Sequence, residues 1–235
     1  MPIDPDAKYE ITGFKWVPDF ARGFVRETRA RWAFEEVGLS YKVRLIDFDE
    51  VKSQAQRHFQ PFGQVPTYSD GDVEIFESGA IAIRIAEQRL GLMPLDMAGR
   101  AHAIQWVIAA LNSVEPFVAQ LSVVDLFEAD KPWSAERRPS VVETIRSRLH
   151  DLSEALGDKQ WLDGNFSVGD LIMVSVLREL HASGLLKEFP NLAAYVARGE
   201  ARPAYQRAMA DHLATFQDAG PTPPLSVSQP IGVPA

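Results

Sequence analysis

The sequence predicts an α/β module followed by an all-helical module. Residues 8–90 alternate short apolar runs with helical stretches, whereas residues 98–216 show the apolar periodicity of helices with almost no strand pattern. The order predicted for the first module is βαβαββα, in which a helix connects two parallel strands and the last two strands form a hairpin. We expect domains at 1–90 and 98–216, a linker at 91–97 and a proline-rich extended tail at 217–235.

The first module begins with a strand at 9–14, YEITGF, and continues with a helix at 19–37 that ends at Gly38. An alternating strand follows at 41–46, and a short irregular helix is predicted at 51–59. The pattern therefore predicts the parallel pair of strands and the helix that joins them.

A turn cluster at 69–72, SDGD, separates two short strands at 65–68 and 73–76 and predicts a hairpin. The next helix begins at Glu77 and ends near Leu90. The helices of the second module are expected at 98–128, 139–157, 168–183, 190–198 and 203–216.

The composition excludes several function classes. Lysine and arginine number 24 against 32 acidic residues, and a net charge of −8 disfavours nucleic acid as a partner. The chain has no cysteine, which excludes disulfides, thiolate metal sites and a cysteine nucleophile. No apolar run reaches the roughly 18 residues that a bilayer span needs, and no secretory signal is visible, so we expect a cytoplasmic protein without a membrane partner. The five histidines show no pair at ligand spacing, and we expect no metal.

The stretch 60–67, QPFGQVPT, and the pair Glu77-Ser78 carry the strongest functional signal. A proline at the start of a sheet strand belongs on an edge or carries a cis bond, and the backbone before it is then free to pair with an extended peptide. A helix that begins at an acidic residue and a serine offers N–H groups and a hydroxyl to a carboxylate. Together they favour a small peptide with a free α-carboxyl group, although an edge proline and an ordinary N-cap give the same pattern.

These motifs, in this order and ahead of an all-helical second half, resemble the cytosolic glutathione transferase family of the bacterial type. Asn165-Phe166-Ser167-Val168-Gly169-Asp170 resembles the family's capping box, with Ser167 as N-cap and Asp170 at the third helical position. The resemblance covers about residues 8–216. It implies a thioredoxin-like N-terminal domain that binds glutathione and an all-helical C-terminal domain that contributes to the pocket for an electrophile.

Position by position, the resemblance implies that the Val65 backbone pairs with the cysteinyl part of glutathione and that Pro66 is cis. It implies that Glu77 and Ser78 hold the γ-glutamyl amine and carboxylate. Gln64 is expected to reach the glycine carboxylate. Lys52 and His58 are possible helpers, with an ordinary surface role as the alternative.

The tyrosine, serine or cysteine with which the family usually activates the thiol is missing. Counting forward from 11–13 places the expected residue at Val17, whereas counting backward from 32–38 places it near Phe24. This mismatch implies an insertion across 15–24, and Thr12 is the closest hydroxyl. A free thiol is only about 3% ionised at pH 7, and lowering its pKa by about two units needs roughly 2.7 kcal/mol. A helix N-terminus or a charge-assisted hydrogen bond supplies about that much. The candidates, in order, are backbone N–H groups at the first turn of the first helix, Arg22 and Trp16, followed by Lys15 and Thr12.

Aromatic side chains are expected to bind the second substrate. The candidate electrophile pocket comprises Phe14, Phe20, His102, Trp106 and Asn112. The alternative is that these residues form the core between the domains.

The sequence thus leads to the prediction of a homodimeric glutathione transferase that adds the glutathione thiolate to an apolar electrophile or an organic hydroperoxide. Without a cysteine, mixed-disulfide chemistry is disfavoured. Two alternatives stay open, a glutathione-binding scaffold without turnover and a glutathione-dependent isomerase or dehalogenase.

Overall fold

The N-terminal part of the protein is built on a four-stranded mixed sheet. The computed structural model describes residues 3–216, so the tail predicted at 217–235 lies outside the described residues. The strand order is β2-β1-β3-β4. β1 and β2 are parallel, whereas β3 is antiparallel to both β1 and β4. The strands are β1 (Tyr9–Phe14), β2 (Tyr41–Ile46), β3 (Thr67–Ser69) and β4 (Glu74–Phe76).

Four helices belong to this sheet: α1 (Glu27–Val37), α2 (Phe48–Lys52), α3 (Gln54–Phe59) and α4 (Ser78–Ala86). α1 and α4 supply apolar residues that are fully buried with those of the sheet, among them Phe34 of α1, Ile81 of α4 and Ile11 of β1. The predicted thioredoxin-like architecture is confirmed, and the sheet holds the start of α1 and the start of α4 in fixed positions.

A second, all-helical part follows, as predicted. Its helices are α5 (Met97–Ala109), α6 (Glu115–Ser122), α7 (Pro132–Leu156), α8 (Val168–Leu177), α9 (Pro190–Glu200) and α10 (Pro203–Ala214). Two π-helical segments, Ala110–Val114 and Val123–Phe127, make α5 and α6 one continuous run. α8 begins with the predicted capping box. The Ser167 side chain accepts a hydrogen bond from the backbone of the first helical turn, and the Asp170 side chain accepts one from the Ser167 N–H.

The helix predicted at 19–37 is wrong in its first half. Asp19–Ala21 form a single 3₁₀ turn, and α1 begins only at Glu27. Gly23 has φ +84°, a left-handed backbone conformation that cannot continue a right-handed helix. The irregular helix predicted at 51–59 is instead two helices, because Ser53 ends α2 and caps α3 by accepting a hydrogen bond from the Gln56 N–H.

One helical run of the described chain, Met97–Phe127, is long and apolar enough to cross a bilayer by length and composition alone. Only 39% of its most apolar window is buried. Core helices of other proteins meet the same criterion, and Ala103, Val107 and Ala110 on its inner side lie in the hydrophobic core. The run is therefore the central helix of the second part, with an outward face that is poor in charge.

α1 is the element that joins the two parts, and it does so with buried charge. Glu35 is fully buried, and its Oε2 accepts from Arg207 Nε of α10 at 2.6 Å. Glu36 accepts two hydrogen bonds, at 2.6 and 2.7 Å, from Arg202 at the start of α10. Because unpaired buried charge is costly, these pairs fix the position of α10 against α1.

Candidate functional site

A small apolar cluster brings together the segments that the motifs had singled out. Val65 packs with Ile46 and Val51, and Phe14 and Val25 lie against them. The cluster therefore joins the C-terminal end of β1, the segment before α1 and the loop before β3. The peptide bond between Val65 and Pro66 is cis, as the resemblance implied.

The start of α4 forms a polar corner against α1. Ser78 is the first residue of α4 and is only 4% exposed. Its Oγ accepts a hydrogen bond of 3.1 Å from Arg29 Nη1 of α1. Glu77, which precedes it, is exposed and has φ +69°. The corner therefore combines a helix N-terminus, a hydroxyl and a guanidinium, three groups that each favour a carboxylate.

Arg29 is a site residue that sequence reasoning missed. Its Nη2 lies 2.8 Å from Glu115 Oε1 of α6, and Arg26 Nη2 lies 3.0 Å from the same oxygen. Burial raises the pKa of the Glu115 carboxyl, but the two arginines outweigh it and hold that pKa below its ordinary value. The available signal was that Glu115 is the only aspartate, glutamate, lysine or arginine between Arg100 and Asp125.

A second carboxyl group faces the same arginine. Glu179, which follows α8, lies 3.8 Å from Arg29 Nη2. Burial raises the pKa of Glu179 above its ordinary value, and the charge of Arg29 opposes that rise only in part. Arg29 is thus a buried cation that contacts the carboxyl groups of Glu115 and Glu179 through Nη2 and the Ser78 hydroxyl through Nη1.

The Thr12 hydroxyl is buried and already forms hydrogen bonds within the sheet. Its Oγ1 accepts a hydrogen bond of 2.7 Å from the Thr67 N–H and lies 3.1 Å from Thr67 Oγ1. The residue is 1% exposed. Its hydroxyl therefore holds β1 to β3.

Lys15 and Arg22 each have acidic neighbours. Lys15 is exposed, and its Nζ lies 3.6 Å from Asp47 and 3.9 Å from Glu50. Arg22 Nη2 lies 3.1 Å from Asp19, and its guanidinium carbon lies 5.6 Å from the ring centre of Phe216. Both cations are therefore already neutralised in part.

The backbone between Gly23 and α1 offers donors without acceptors. Over residues 3–216, neither the Val25 N–H nor the Arg26 N–H donates a hydrogen bond. They precede the first turn of α1, where the helix dipole favours an anion. Val25 also packs against the apolar cluster that contains Val65, the residue before the cis bond.

The predicted aromatic residues do not form one pocket. Phe14 and Trp16 both contact Phe48, with ring centres 4.7 and 6.1 Å away, and the Trp16 Nε1 is buried with no hydrogen-bond partner among the described residues. Phe20 instead contacts Phe127, at 6.1 Å between ring centres.

Trp106, His102 and Asn112 lie elsewhere. Trp106 Nε1 donates to Asp163 at 3.2 Å, within the helical part. His102 and Asn112 are exposed on the outward side of the long helical run. At a rise of about 1.5 Å per residue, Phe127 lies roughly 30 Å along the run from Trp106, so one pocket cannot contain Phe20 and these three residues together.

The remaining predicted residues lie on the surface. Gln64 is exposed directly before Val65. Lys52 ends α2 and His58 lies in α3, and both are exposed. For the described residues, no group of three or more metal-ligating side chains is found.

Comparison with known proteins decides the family. Residues 21–87 match the family model for the N-terminal domain of glutathione S-transferases. The chain is 30% identical over 184 residues to glutathione S-transferase F12 of Arabidopsis thaliana, a match that covers 73% of this chain and 82% of the relative. The chain belongs to the glutathione S-transferase family. Glutathione S-transferase F11 of the same plant is 28% identical over 198 residues and is matched over 91% of its length, with 77% of this chain.

Solved structures show the same fold in this transferase. A glutathione transferase from Burkholderia graminis, with two glutathione molecules bound per subunit, aligns with a TM-score of 0.76 and 26% identity, and the match covers 86% of this chain and 87% of that one. The family model begins at residue 21, and therefore includes Arg29, Val65 and Ser78 but not Thr12 or Trp16. The thiol-activating group is thus not assigned by the family match.

Proposed function

We propose that this glutathione S-transferase ionises glutathione at the start of α1 and adds its sulfur to an apolar electrophile or an organic hydroperoxide. The observation that carries the proposal is the apolar cluster that contains Val65 and against which Val25 packs. The Val25 and Arg26 N–H groups, which donate no hydrogen bond over residues 3–216, therefore adjoin the same cluster as the loop where the family is expected to bind the cysteinyl part of glutathione. Transferase activity and glutathione as co-substrate are supported by the named relatives.

In this proposal the tripeptide is held at both ends. The Val65 backbone pairs with its cysteinyl part. Ser78 and Arg29 bind the γ-glutamyl carboxylate, and Glu77 binds the amine. Gln64 and Lys52, both exposed next to this loop, reach the glycine carboxylate.

The thiolate is stabilised by the Val25 and Arg26 N–H groups rather than by a hydroxyl. Two such donors and the positive end of α1 supply about the 2.7 kcal/mol that a two-unit lowering of the thiol pKa needs. The Trp16 N–H is the next candidate because it is buried and unpaired in the described structure. Arg22, Lys15 and Thr12 rank below it, since each already contacts another polar group.

The electrophile is proposed to bind between Phe20 and Phe127 at the end of the long helical run. Phe20 is 37% exposed and Phe127 is 52% exposed, so their rings offer apolar surface at the cleft. Phe14 and Trp16, which contact Phe48 instead, are not part of this pocket in the proposal. His102, Trp106 and Asn112, predicted for this pocket, are not part of it in this proposal.

A homodimer is the proposed assembly, and a cytoplasmic location is proposed with it. The outward face of α5 is the proposed interface, because it carries Met97, His102 and Ile108 with exposures of 89% for Met97 and 49% for Ile108.

A glutathione-binding scaffold without turnover is the alternative function, because the hydroxyl that the family usually uses is absent. Glutathione binding without turnover on any electrophile or hydroperoxide would favour it.

Substitution Ser78→Ala tests the proposed binding site for the γ-glutamyl carboxylate of glutathione. Loss of one hydrogen bond to the carboxylate should weaken glutathione by about 1–2 kcal/mol in titration calorimetry. Ser40→Ala, at an exposed position before β2, is the control and should bind like wild type. An unchanged dissociation constant for Ser78→Ala would contradict the placement, and the stoichiometry measured for wild type shows whether one or two molecules bind.

Substitution Arg26→Pro tests the backbone donors. Arg26 has φ −65°, which proline accepts, and proline removes the N–H. The bound thiol should become harder to ionise, with kcat/KM about tenfold lower near neutral pH. Arg26→Ala loses the same ion pair with Glu115 but keeps the N–H, so it is the matched control. Equal kinetics for the two variants would remove this N–H from the mechanism.

Substitution Phe127→Ala tests the electrophile pocket. Removing an aromatic ring from it should raise KM for a chlorodinitrobenzene-type electrophile several-fold and leave KM for glutathione unchanged. His102→Ala serves as the comparison and should leave both constants unchanged. A raised KM for the electrophile in His102→Ala, with an unchanged one in Phe127→Ala, would support the pocket predicted from the sequence instead.

Substitution Ile108→Glu tests the homodimer. Light scattering should give a dimer for wild type at micromolar concentration and a monomer for the variant, because an unpaired charge cannot be buried at the interface. Leu213→Glu on α10, where the leucine is 43% exposed, should remain dimeric. A monomeric wild type, or a dimeric Ile108→Glu, speaks against this interface.

A further inference from the structure

Both backbone groups of Gly23 are held by buried side chains of the helical part. The Gly23 N–H donates to His212 Nε2 of α10 at 3.0 Å, and the Gly23 carbonyl accepts from Arg178 Nη1 at 3.1 Å. A Cβ at Gly23 would lie 3.3 Å from the Met209 sulfur, and the φ of +84° disfavours any other residue. We call this arrangement of Gly23, His212, Arg178 and Glu27 the Gly23 latch.

The hydrogen bond from Gly23 fixes the tautomer of His212. Because Nε2 accepts, the proton of the neutral ring is on Nδ1, which lies 3.0 Å from Glu27 Oε1. Both side chains are buried, with His212 at 0% and Glu27 at 1% exposure. Glu27 also lies close under β1, since a Cβ on Gly13 would be 3.2 Å from its Oε1. The latch therefore connects β1, α1 and α10.

Arg178 is itself held in place. Its Nε donates to Glu200 Oε1 at 2.7 Å, and its guanidinium lies over the rings of Phe24 and Tyr205, 5.2 and 5.0 Å from their centres. Its position is therefore set by α9 and α10 as well as by Gly23. Such supporting contacts are what hold a functional segment to within a fraction of an ångström.

The segment at 15–26 has little structure of its own to fix it. It contains one 3₁₀ turn, Asp19–Ala21, and no strand or α-helix until Glu27. The proposed donors, the N–H groups of Val25 and Arg26, follow Gly23 within three residues. A hydroxyl side chain can rotate to form a hydrogen bond with a sulfur, whereas the direction of a backbone N–H is fixed by the backbone conformation. The contacts that hold this segment of backbone therefore determine where the N–H groups point.

We propose that His212, together with Arg178, is a positioning residue that fixes Gly23 and thereby directs the Val25 and Arg26 N–H groups toward the glutathione sulfur. This inference rests on the proposed function, because it needs those donors to face the thiolate. It makes the last described helix of the protein part of thiol activation, although that helix does not touch the sulfur.

The test compares His212→Leu with His212→Gln. Leucine removes the acceptor for the Gly23 N–H, whereas the glutamine Oε1 supplies one again. His150→Leu, at an exposed position of α7, is the control. Two ligands are used. For glutathione, the thiolate absorbance is titrated against pH on each variant. S-methylglutathione has no ionisable thiol, so its dissociation constant, measured by calorimetry, reports on binding of the peptide alone.

His212→Leu should raise the pKa of the bound thiol and lower kcat/KM at neutral pH by about tenfold, while the dissociation constant of S-methylglutathione changes less than about twofold. His212→Gln should recover most of the loss. The latch is overturned if His212→Leu ionises glutathione like wild type, or if glutamine gives no recovery.

One measurement needs no variant. The Gly23 amide of wild type should exchange its hydrogen slowly, because it is buried and bonded to His212. Fast exchange would overturn the latch even if His212→Leu failed to fold. The two proposals also fail in different ways. If wild type binds no glutathione, the proposed function fails, whereas an unprotected Gly23 amide or an unshifted thiol in His212→Leu refutes the latch alone.

Discussion

Helix α1 is buried between the sheet and the helical part, yet it carries four charged side chains that are almost fully removed from water. These are Glu27, Arg29, Arg31 and Glu35, each 3% exposed or less. Burying such charges is costly unless each finds a partner, and Glu27, Arg29 and Glu35 contact partners in the helical part. The energetic need to pair these charges fixes how the two parts of the chain sit against each other, and the site lies where they meet.

The same constraint explains how a site without the usual hydroxyl is built. Arg29 is held from behind by Glu115 and presents its other nitrogen to Ser78, which creates a seat for an anion. Glu27 Oε1 lies 3.0 Å from His212 Nδ1 at the first residue of the helix, next to the Val25 and Arg26 N–H groups, which donate no hydrogen bond over residues 3–216. In the proposed site, one helix would therefore provide both the cation for the peptide and the dipole for the sulfur, and neither would depend on a side chain at 15–24.

Local patterns were enough to predict the strands, the loop at Val65 and the start of α4, because alternation, turn residues and caps are encoded within a few neighbouring residues. They were not enough for α1, whose predicted start was eight residues early, since Gly23 can adopt helical or left-handed backbone equally well. Nor could they pair Gly23 with His212, which lie 189 residues apart. Contacts of that range follow from the packed fold and from no local signal.

In the proposed mechanism, backbone donors at the start of α1, rather than a side chain, stabilise the thiolate. A crystal structure with glutathione bound tests it most directly, through the distances from the sulfur to the Val25 and Arg26 nitrogens. We expect the sulfur within hydrogen-bonding distance, about 3.5 Å, of at least one of them. A sulfur bonded instead to Trp16 Nε1 or to the Arg22 guanidinium, and far from both backbone nitrogens, would contradict it.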